Sequence, residues 1–180
     1  YSNLFELDKF SQLDVLENGT SLSYGFDFKI NDLEGDNLVG EEKFSFSAGQ
    51  VVNSKENHDM SASSSMDQRF SDVVGVSNYK LNNNINLNYN FAVDQNLKEL
   101  NYNEIGLDLT KGIAKFNISY LQEREHIGNT EYIDTEIELN LTNSSELTFS
   151  TKRNLLTHSS DFYSMSYNYI NDCLKAGLVF

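Results

Sequence analysis

Proline and tryptophan are absent from this chain of 180 residues, and cysteine occurs once, at Cys173. Proline cannot donate a backbone hydrogen bond, so its absence suits long strands in which every N–H joins a ladder. A single cysteine excludes a disulfide within the chain. No apolar run approaches the roughly 18 residues that a membrane-spanning helix needs, which excludes helical spanning.

Basic residues are scarce, because Lys and Arg total 13 against 27 Asp and Glu, for a net charge of −14. Without a basic patch to neutralise phosphates, nucleic acid is excluded as a partner. The P-loop, G-x-G-x-x-G and G-x-S-x-G motifs are also missing. His58, His126 and His158 lack the spacing of metal ligands. The sequence therefore predicts neither an enzyme nor a metal or cofactor site.

Aromatic residues are plentiful, and the 12 Phe and 10 Tyr lie at alternating positions. From Leu22 to Ile30, every second residue is apolar and the residues between are small or polar. A period of two is that of a β-strand with one apolar face. The same pattern recurs along nearly the whole chain, separated by Asn-, Asp- and Gly-containing turns. It predicts an all-β fold of about ten antiparallel strands, each of roughly 9–11 residues.

Strand length and connection length together predict a membrane barrel. Roughly 9–11 residues is the length that a tilted strand needs to cross a bilayer. From the polar connection 53–70 onward, short turns at 82–84, 110–112, 143–144 and 171–172 alternate with longer, more charged connections. A soluble sandwich has shorter strands and no such alternation. We therefore expect an antiparallel transmembrane β-barrel segment, with connection 53–70 at the cell surface.

The alternation also assigns side chains to two faces. We expect these apolar residues to face lipid: Leu22, Tyr24, Phe26, Phe28, Leu87, Tyr89, Phe91, Phe116, Ile118, Tyr167 and Leu178. The rows opposite are polar, and we expect them to face a water-accessible lumen: Asn86, Asn88, Asn90, Asp134, Glu136, Glu138 and Asn140. A packed core would leave such rows without hydrogen-bond partners. An open ten-stranded piece would expose unpaired edges to lipid, so we interpret the chain as a fragment of a larger barrel.

Two places break the alternation. Val73 and Val74 are adjacent, which leaves the facing of their strand ambiguous. In the strand from about Glu99 to Leu109, a phase slip near Asn103 and Glu104 predicts a β-bulge.

Cys173 is expected to begin the lumen-facing register of the last strand, directly after a short turn. One interpretation is a buried free thiol, which is common. The other, in an oxidising compartment, is a bond to a cysteine in another domain.

Four segments, in this order along the chain, resemble the lipopolysaccharide-assembly LptD (OstA) family of alphaproteobacterial type. They are Leu22-Ser23-Tyr24-Gly25, Phe46-Ser47-Ala48-Gly49-Gln50, Ser71-Asp72-Val73-Val74-Gly75 and Tyr169-Ile170-Asn171-Asp172-Cys173-Leu174. The resemblance covers essentially the whole chain. It implies that residues 1–180 are part of the family's C-terminal barrel of about 26 strands. The first and last barrel strands and an N-terminal jellyroll would lie outside it.

The resemblance also implies a function in the Gram-negative outer membrane. The family's translocon inserts lipopolysaccharide into the outer leaflet, and it holds an LptE-like lipoprotein as a plug in the lumen. It receives its substrate from a periplasmic LptA-like bridge through the jellyroll, and outer-membrane lipids surround it. A disulfide from Cys173 to the missing N-terminal region is implied as well, although Asp172 stands where some members have a second cysteine. The alternative function is a porin-like passive diffusion channel.

Overall fold

The computed structural model describes residues 4–5, 19–32, 40–56, 58, 65–124, 128–171 and 173–180. Their strands are β1 (Ser21–Asp32), β2 (Glu41–Asn53), β3 (Val73–Asn82), β4 (Ile85–Val93), β5 (Leu100–Lys111), β6 (Ala114–Glu123), β7 (Thr130–Thr142), β8 (Ser145–Asn154), β9 (Ser159–Ile170) and β10 (Lys175–Val179). All ten form one sheet in sequence order, and each is antiparallel to the next. No helix in these ranges is long and apolar enough to span a membrane. The predicted all-β antiparallel meander is confirmed.

Cross-strand pairing keeps the same set of alternate residues on one side of the sheet. Direct partners in an antiparallel pair point to the same side, so a chain of partners traces one face. One such row runs through Leu109, Phe116, Ile137, Phe149 and Met165. Followed across all ten strands, the pairings place the eleven residues expected to face lipid on one side, which we name the apolar face. We name the opposite side, which carries Asn86 and Glu136, the polar face.

Aromatic rings contact one another across the first four strands of the apolar face. Phe46 of β2 lies between Phe26 of β1 and Phe91 of β4, with ring centroids 5.6 Å and 6.2 Å away. Phe91 also stacks on Tyr89, with centroids 5.5 Å apart. Such pairs add to the stabilisation that the buried area supplies, and they reinforce the strand register.

From residue 54 onward the connections alternate in length as the sequence predicts, except that the last one, 171–174, is as long as 155–158. At one end of the sheet the turns 83–84, 112–113 and 143–144 join their strands directly, and at the other end lie 54–72, 94–99, 124–129 and 155–158. We name these the short-turn end and the long-connection end. Local chemistry closes the tight turns: the Asn82 Oδ1 atom accepts a hydrogen bond from Asn84 N at 2.8 Å, and Gly112 has a φ of +60°. Both are features of two-residue hairpin turns.

The two ambiguous places are resolved by pairing. Val73 pairs with Val93, and Val74 pairs with Ala92, so the two valines lie on the apolar and polar faces respectively. The predicted bulge exists, but its predicted position near Asn103 and Glu104 is wrong. Ala92 pairs with Tyr102 while Val93 pairs with Leu100, so the extra residue is Asn101. The shift falls at the end of the strand, where it disturbs the apolar face least.

The small core lies on the polar face, at the long-connection end of β2. Val51 is 0% exposed, and Met66 and Leu4 pack against it. Val51 pairs with Ser23, which fixes its side chain on the polar face. Connection 53–70, which we expect at the cell surface, contributes the buried Ser65 and Met66 to this end of the sheet. Residues 57 and 59–64, which include most of its serine-rich part, lie outside the described residues.

Gly25 marks a close approach of β1 to β2. It pairs with Gly49, and a methyl group at Gly25 would lie 2.5 Å from the Ala48 carbonyl oxygen, which belongs to the backbone. We predict that Gly25→Ala lowers the free energy of unfolding by about 1–3 kcal/mol, because the strands must move apart. A urea titration of the full-length protein, read by its heat-modifiable electrophoretic migration, measures this.

The matched control is Gly177→Ala in β10. A methyl group there would meet only the flexible Asn168 side chain, with Oδ1 at 2.9 Å, and backbone no nearer than 3.7 Å. We expect a smaller loss, since that side chain can rotate away. Equal unfolding midpoints for the two variants would contradict the close approach at Gly25.

Candidate functional site

The candidate site is the polar face, formed by the strand positions that alternate with the apolar ones. One row of direct partners across its centre runs through Asn86, Asp108, Asn117, Glu136 and Ser150. The two polar rows expected to face a lumen, at Asn86 to Asn90 and at Asp134 to Asn140, both lie on this face. Carboxylates and carboxamides therefore meet side by side over the four neighbouring strands β4 to β7, and β8 adds a hydroxyl.

Amide groups bridge the carboxylates of this face. Asn117 donates from Nδ2 to Asp108 Oδ1 at 2.6 Å, and Asn86 donates to Oδ2 of the same carboxylate at 3.4 Å. Two rows nearer the long-connection end, Asn90 donates to Glu104 Oε2 at 2.9 Å. The Tyr102 hydroxyl donates to the same Glu104 oxygen at 2.8 Å. Each neutral donor reduces the mutual repulsion of the acidic rows without adding charge.

Lysines stand singly among these acids. Lys115 Nζ lies 2.6 Å from Glu138 Oε1, which also accepts a hydrogen bond from Asn140 at 3.0 Å. Lys152 lies 3.8 Å from Asp134 and 4.4 Å from the centroid of the Tyr132 ring. Pairs exposed to this degree contribute about 0–1 kcal/mol each to stability. The polar face therefore remains acidic, with single lysine side chains among its carboxylates.

The polar face is chemically a hydrogen-bonding surface. Its carboxylates, amides and hydroxyls can accept from and donate to a sugar or a polar polypeptide. In the part of the chain that the structure describes, no group of three or more His, Cys, Asp and Glu could hold a metal ion. His58 and His158 are exposed at the long-connection end. His126 lies outside the described residues.

A buried polar cluster at the long-connection end was missed by sequence reasoning. Asn101, the bulge residue, is 3% exposed, and its Nδ2 atom donates to Asp72 Oδ2 at 2.9 Å. Ser71 Oγ accepts from Val51 N at 2.9 Å, and its carbonyl accepts from Gln50 Nε2 at 2.7 Å. The phase slip near residue 103 was the one signal of this cluster, since a bulge re-aims a side chain.

Cys173 lies in the connection between β9 and β10. The Asn171 Oδ1 atom accepts hydrogen bonds from Cys173 N at 3.0 Å and from Leu174 N at 2.7 Å, which closes an Asx turn. Since β10 starts at Lys175, the prediction that Cys173 begins the strand is wrong by two residues. The thiol is free and exposed, which also contradicts the buried interpretation. Asp172 lies outside the described residues.

Comparison with known proteins identifies the family. The chain matches the family LptD, LPS transport system D, over residues 1–151. A comparison with curated proteins gives no match. The matched residues run from before β1 into β8, so they include most of the sheet and of its polar face. The predicted resemblance is confirmed: the chain belongs to the LptD family, whose members are components of lipopolysaccharide transport to the outer membrane and form no enzyme family.

Proposed function

We propose that this chain is a section of the outer-membrane barrel of a lipopolysaccharide translocon, which inserts lipopolysaccharide into the outer leaflet. The observation that carries the proposal is the single apolar face shared by all ten strands of one antiparallel sheet. A sheet with large apolar side chains over most of one side and acidic side chains on the other needs a different medium on each side. Lipid outside and water inside a barrel supply those media.

The apolar face is proposed to contact outer-membrane lipid. Large apolar side chains on it are widely exposed, among them Phe26, Leu22 and Leu178. In water such a continuous patch would favour aggregation, whereas in a bilayer it is solvated. The aromatic contacts between β1 and β4 lie on this same face.

The polar face is proposed to line the lumen and to receive an LptE-like lipoprotein plug. A plug needs hydrogen-bond partners over a broad area, and the bridged carboxylates around Asp108 and Glu104 present them on neighbouring strands. The net charge of the chain, −14, favours a partner surface with donors and positive charge. The sugar portion of lipopolysaccharide can use the same acceptors during passage.

Two further elements of the proposal lie outside residues 1–180. An LptA-like periplasmic bridge would deliver lipopolysaccharide through a jellyroll in the N-terminal region. That region would also carry the cysteine that bonds to Cys173. An exposed thiol at the short-turn end supports this pairing, because short turns face the periplasm in such barrels.

A porin-like diffusion channel is less well supported. Such channels set opposed acidic and basic rows across a narrow lumen. On the polar face of β6 to β8, Lys115 and Lys152 are each paired with a carboxylate rather than grouped in a row.

Depletion of the full-length protein tests the function directly. We expect newly made lipopolysaccharide to accumulate inside the cell and to stop reaching the surface, as measured by surface labelling. A porin-like channel predicts the reverse pattern, in which uptake of small hydrophilic solutes falls and lipopolysaccharide export continues.

Adjacent residues of β6 test the facing of the sheet. Phe116 lies on the apolar face and Asn117 on the polar face, where it contacts Asp108. We predict that Phe116→Arg costs about 2–4 kcal/mol of stability if Phe116 lies near the bilayer midplane. Asn117→Arg should cost little, because its guanidinium can pair with Asp108 in the lumen. Unfolding of the full-length variants in detergent-free bilayers gives both values, and equal losses would contradict the assignment.

Cys173 is tested by non-reducing electrophoresis of the full-length protein. A disulfide across hundreds of residues closes a long loop, for which chain-entropy estimates give about 4–5 kcal/mol, although strain lowers the real figure. We expect the wild type to migrate faster without reductant than with it, and Cys173→Ser to abolish the difference. Identical migration of the variant and the wild type under both conditions, with normal lipopolysaccharide export, would favour an unpaired thiol.

A further inference from the structure

The borders of the apolar face do not run parallel to its rows of direct partners. Towards the long-connection end, apolar residues extend to Leu22 on β1 and to Val93 on β4. On β5 to β8, polar residues appear earlier along the strand: Asn103, Gln122, Glu131 and Arg153. The first three lie in the row of Phe26 and Phe91, and Arg153 lies one row nearer the short-turn end.

The opposite border shifts in the same direction. On β1 the apolar residues end at Ile30, and the charged Asp32 follows. Leu109 of β5 lies one row further towards the short-turn end than Ile30, and Lys111 follows it. On β9 the apolar residues continue two rows beyond Leu109, to Tyr169. The apolar side chains therefore form a band that moves towards the short-turn end from β1 to β9.

Both borders cross the sheet diagonally, with a shift of about one residue per strand. Since a residue rises by about 3.3 Å and strands lie about 4.8 Å apart, this shift corresponds to a strand tilt of about 35°. Strands of outer-membrane barrels tilt by about 35–45°. In a tilted sheet, direct partners on successive strands lie at successively different depths, so the level border of a membrane must cross the rows diagonally.

Tyrosine hydroxyls at the long-connection border point out of the apolar band. Tyr120 of β6 donates to Glu131 Oε1 at 2.7 Å, one row nearer the long-connection end. On β9, the Tyr163 hydroxyl lies 2.8 Å from Ser160 Oγ, in the same direction along the sheet. A ring in lipid with its hydroxyl towards water is the orientation that tyrosine takes at membrane interfaces.

The tyrosine at the opposite border points the other way. The Tyr169 hydroxyl accepts a hydrogen bond from Asn171 Nδ2 at 3.1 Å, towards the short-turn end. Gln50 is a large polar residue inside the band, but it is 7% exposed and bonded within the protein. Its Oε1 accepts from the Tyr24 hydroxyl, and its Nε2 donates to the Ser71 carbonyl at 2.7 Å. It therefore needs no contact with water.

We propose that the two borders are the water interfaces of the outer membrane, and that the polar residues of the long-connection border contact headgroups of the outer leaflet. These residues are Asn103, Gln122, Glu131 and Arg153. The inference deepens the proposed function and rests on it in one respect, that the apolar face contacts lipid. Long connections face outward in such barrels. There the exposed Arg153 can pair with a headgroup phosphate, whereas in hydrocarbon it would lack a partner.

The experiment places a nitroxide at single introduced cysteines of the full-length protein in phosphatidylcholine vesicles. Collision with oxygen, which concentrates in hydrocarbon, and with a water-soluble nickel chelate gives the depth of each nitroxide. Phe26→Cys and Gln122→Cys occupy the same row, on β1 and β6. We expect the Gln122→Cys label to lie about 14 Å nearer the water, from about 4.8 Å between strands and a tilt of about 35°. The signal of identically treated wild type is subtracted.

Ile118→Cys is the matched control on β6. It lies two rows nearer the short-turn end than Gln122. The diagonal border nevertheless places its label within about 4 Å of the depth of the Phe26→Cys label. Heat-modifiable migration confirms that each labelled variant is folded.

Arginine variants give a second measurement that needs no label. In the same vesicles, Phe26→Arg should lower the ratio of folded to unfolded protein about 30- to 900-fold, the range for arginine near the bilayer midplane. Gln122→Arg should lower it less than about fivefold, because headgroups and water solvate the guanidinium. An equal loss in both variants overturns the diagonal border.

The outcomes separate this inference from the function on which it rests. Equal depths for the Phe26→Cys and Gln122→Cys labels show that the rows are level with the membrane, which overturns the inference alone. A Gln122→Cys label that neither probe reaches is covered by protein, which overturns the contact with headgroups. If the nickel chelate reaches both the Phe26→Cys and the Ile118→Cys label, the apolar face does not contact lipid. That result overturns the proposed function as well.

Discussion

The antiparallel hydrogen-bond ladder is the constraint on which the rest of the structure depends. Side chains alternate with a period of two, so a slip of one residue between any two strands would move apolar side chains to the acidic face. Five pairs contain a register shift: at Ile30/Asn31, Lys80/Asn82, Ala92/Val93, Asn140/Thr142 and Lys152/Arg153. Every one falls near the end of a strand. In the middle of the sheet, the same alternate residues therefore stay on the same face from β1 to β10.

The strand register also determines on which face the charged side chains lie. It gathers Glu104, Asp108, Asp134, Glu136, Glu138 and Glu146 on one side, where like charges would repel and loosen the sheet. The asparagines of β4 and β6 reduce this repulsion, since Asn90 and Asn117 each donate to a neighbouring carboxylate. Because amides are neutral, the face stays acidic and its remaining acceptors stay available. The asparagine-rich composition is thus linked to the face that carries the function.

Sequence reasoning predicted what depends on local pattern. The period of two in residues 22–30 or 85–93 identifies both the strand and its faces, and Asn82 and Gly112 identify their turns. It failed where the burial or position of a residue depends on a partner that is distant in sequence. Nothing near Asn101 shows that it, rather than Asn103, is the bulge, because its burial depends on Asp72, which is distant in sequence. Likewise, the burial of Met66 requires Val51 of β2. The position of Cys173 was misjudged by two residues because Asn171 extends the turn.

The two ends of the sheet differ in how their connections are held. At the short-turn end, the turns after β3 and β9 are closed by the Asn82 and Asn171 side chains, and Gly112 supplies the positive φ of the turn after β5. At the long-connection end, Asn53, Ser65 and Asp72 fold a connection onto a strand face through contacts that neither strand requires for its own pairing. The backbone of the same connection also meets β2, since Asn53 N donates to Arg69 O at 2.8 Å and Phe70 forms an antiparallel bridge with Val52. The long-connection end therefore depends on contacts between segments that are distant in sequence, whereas the exposed thiol of Cys173 at the short-turn end follows a local Asx turn.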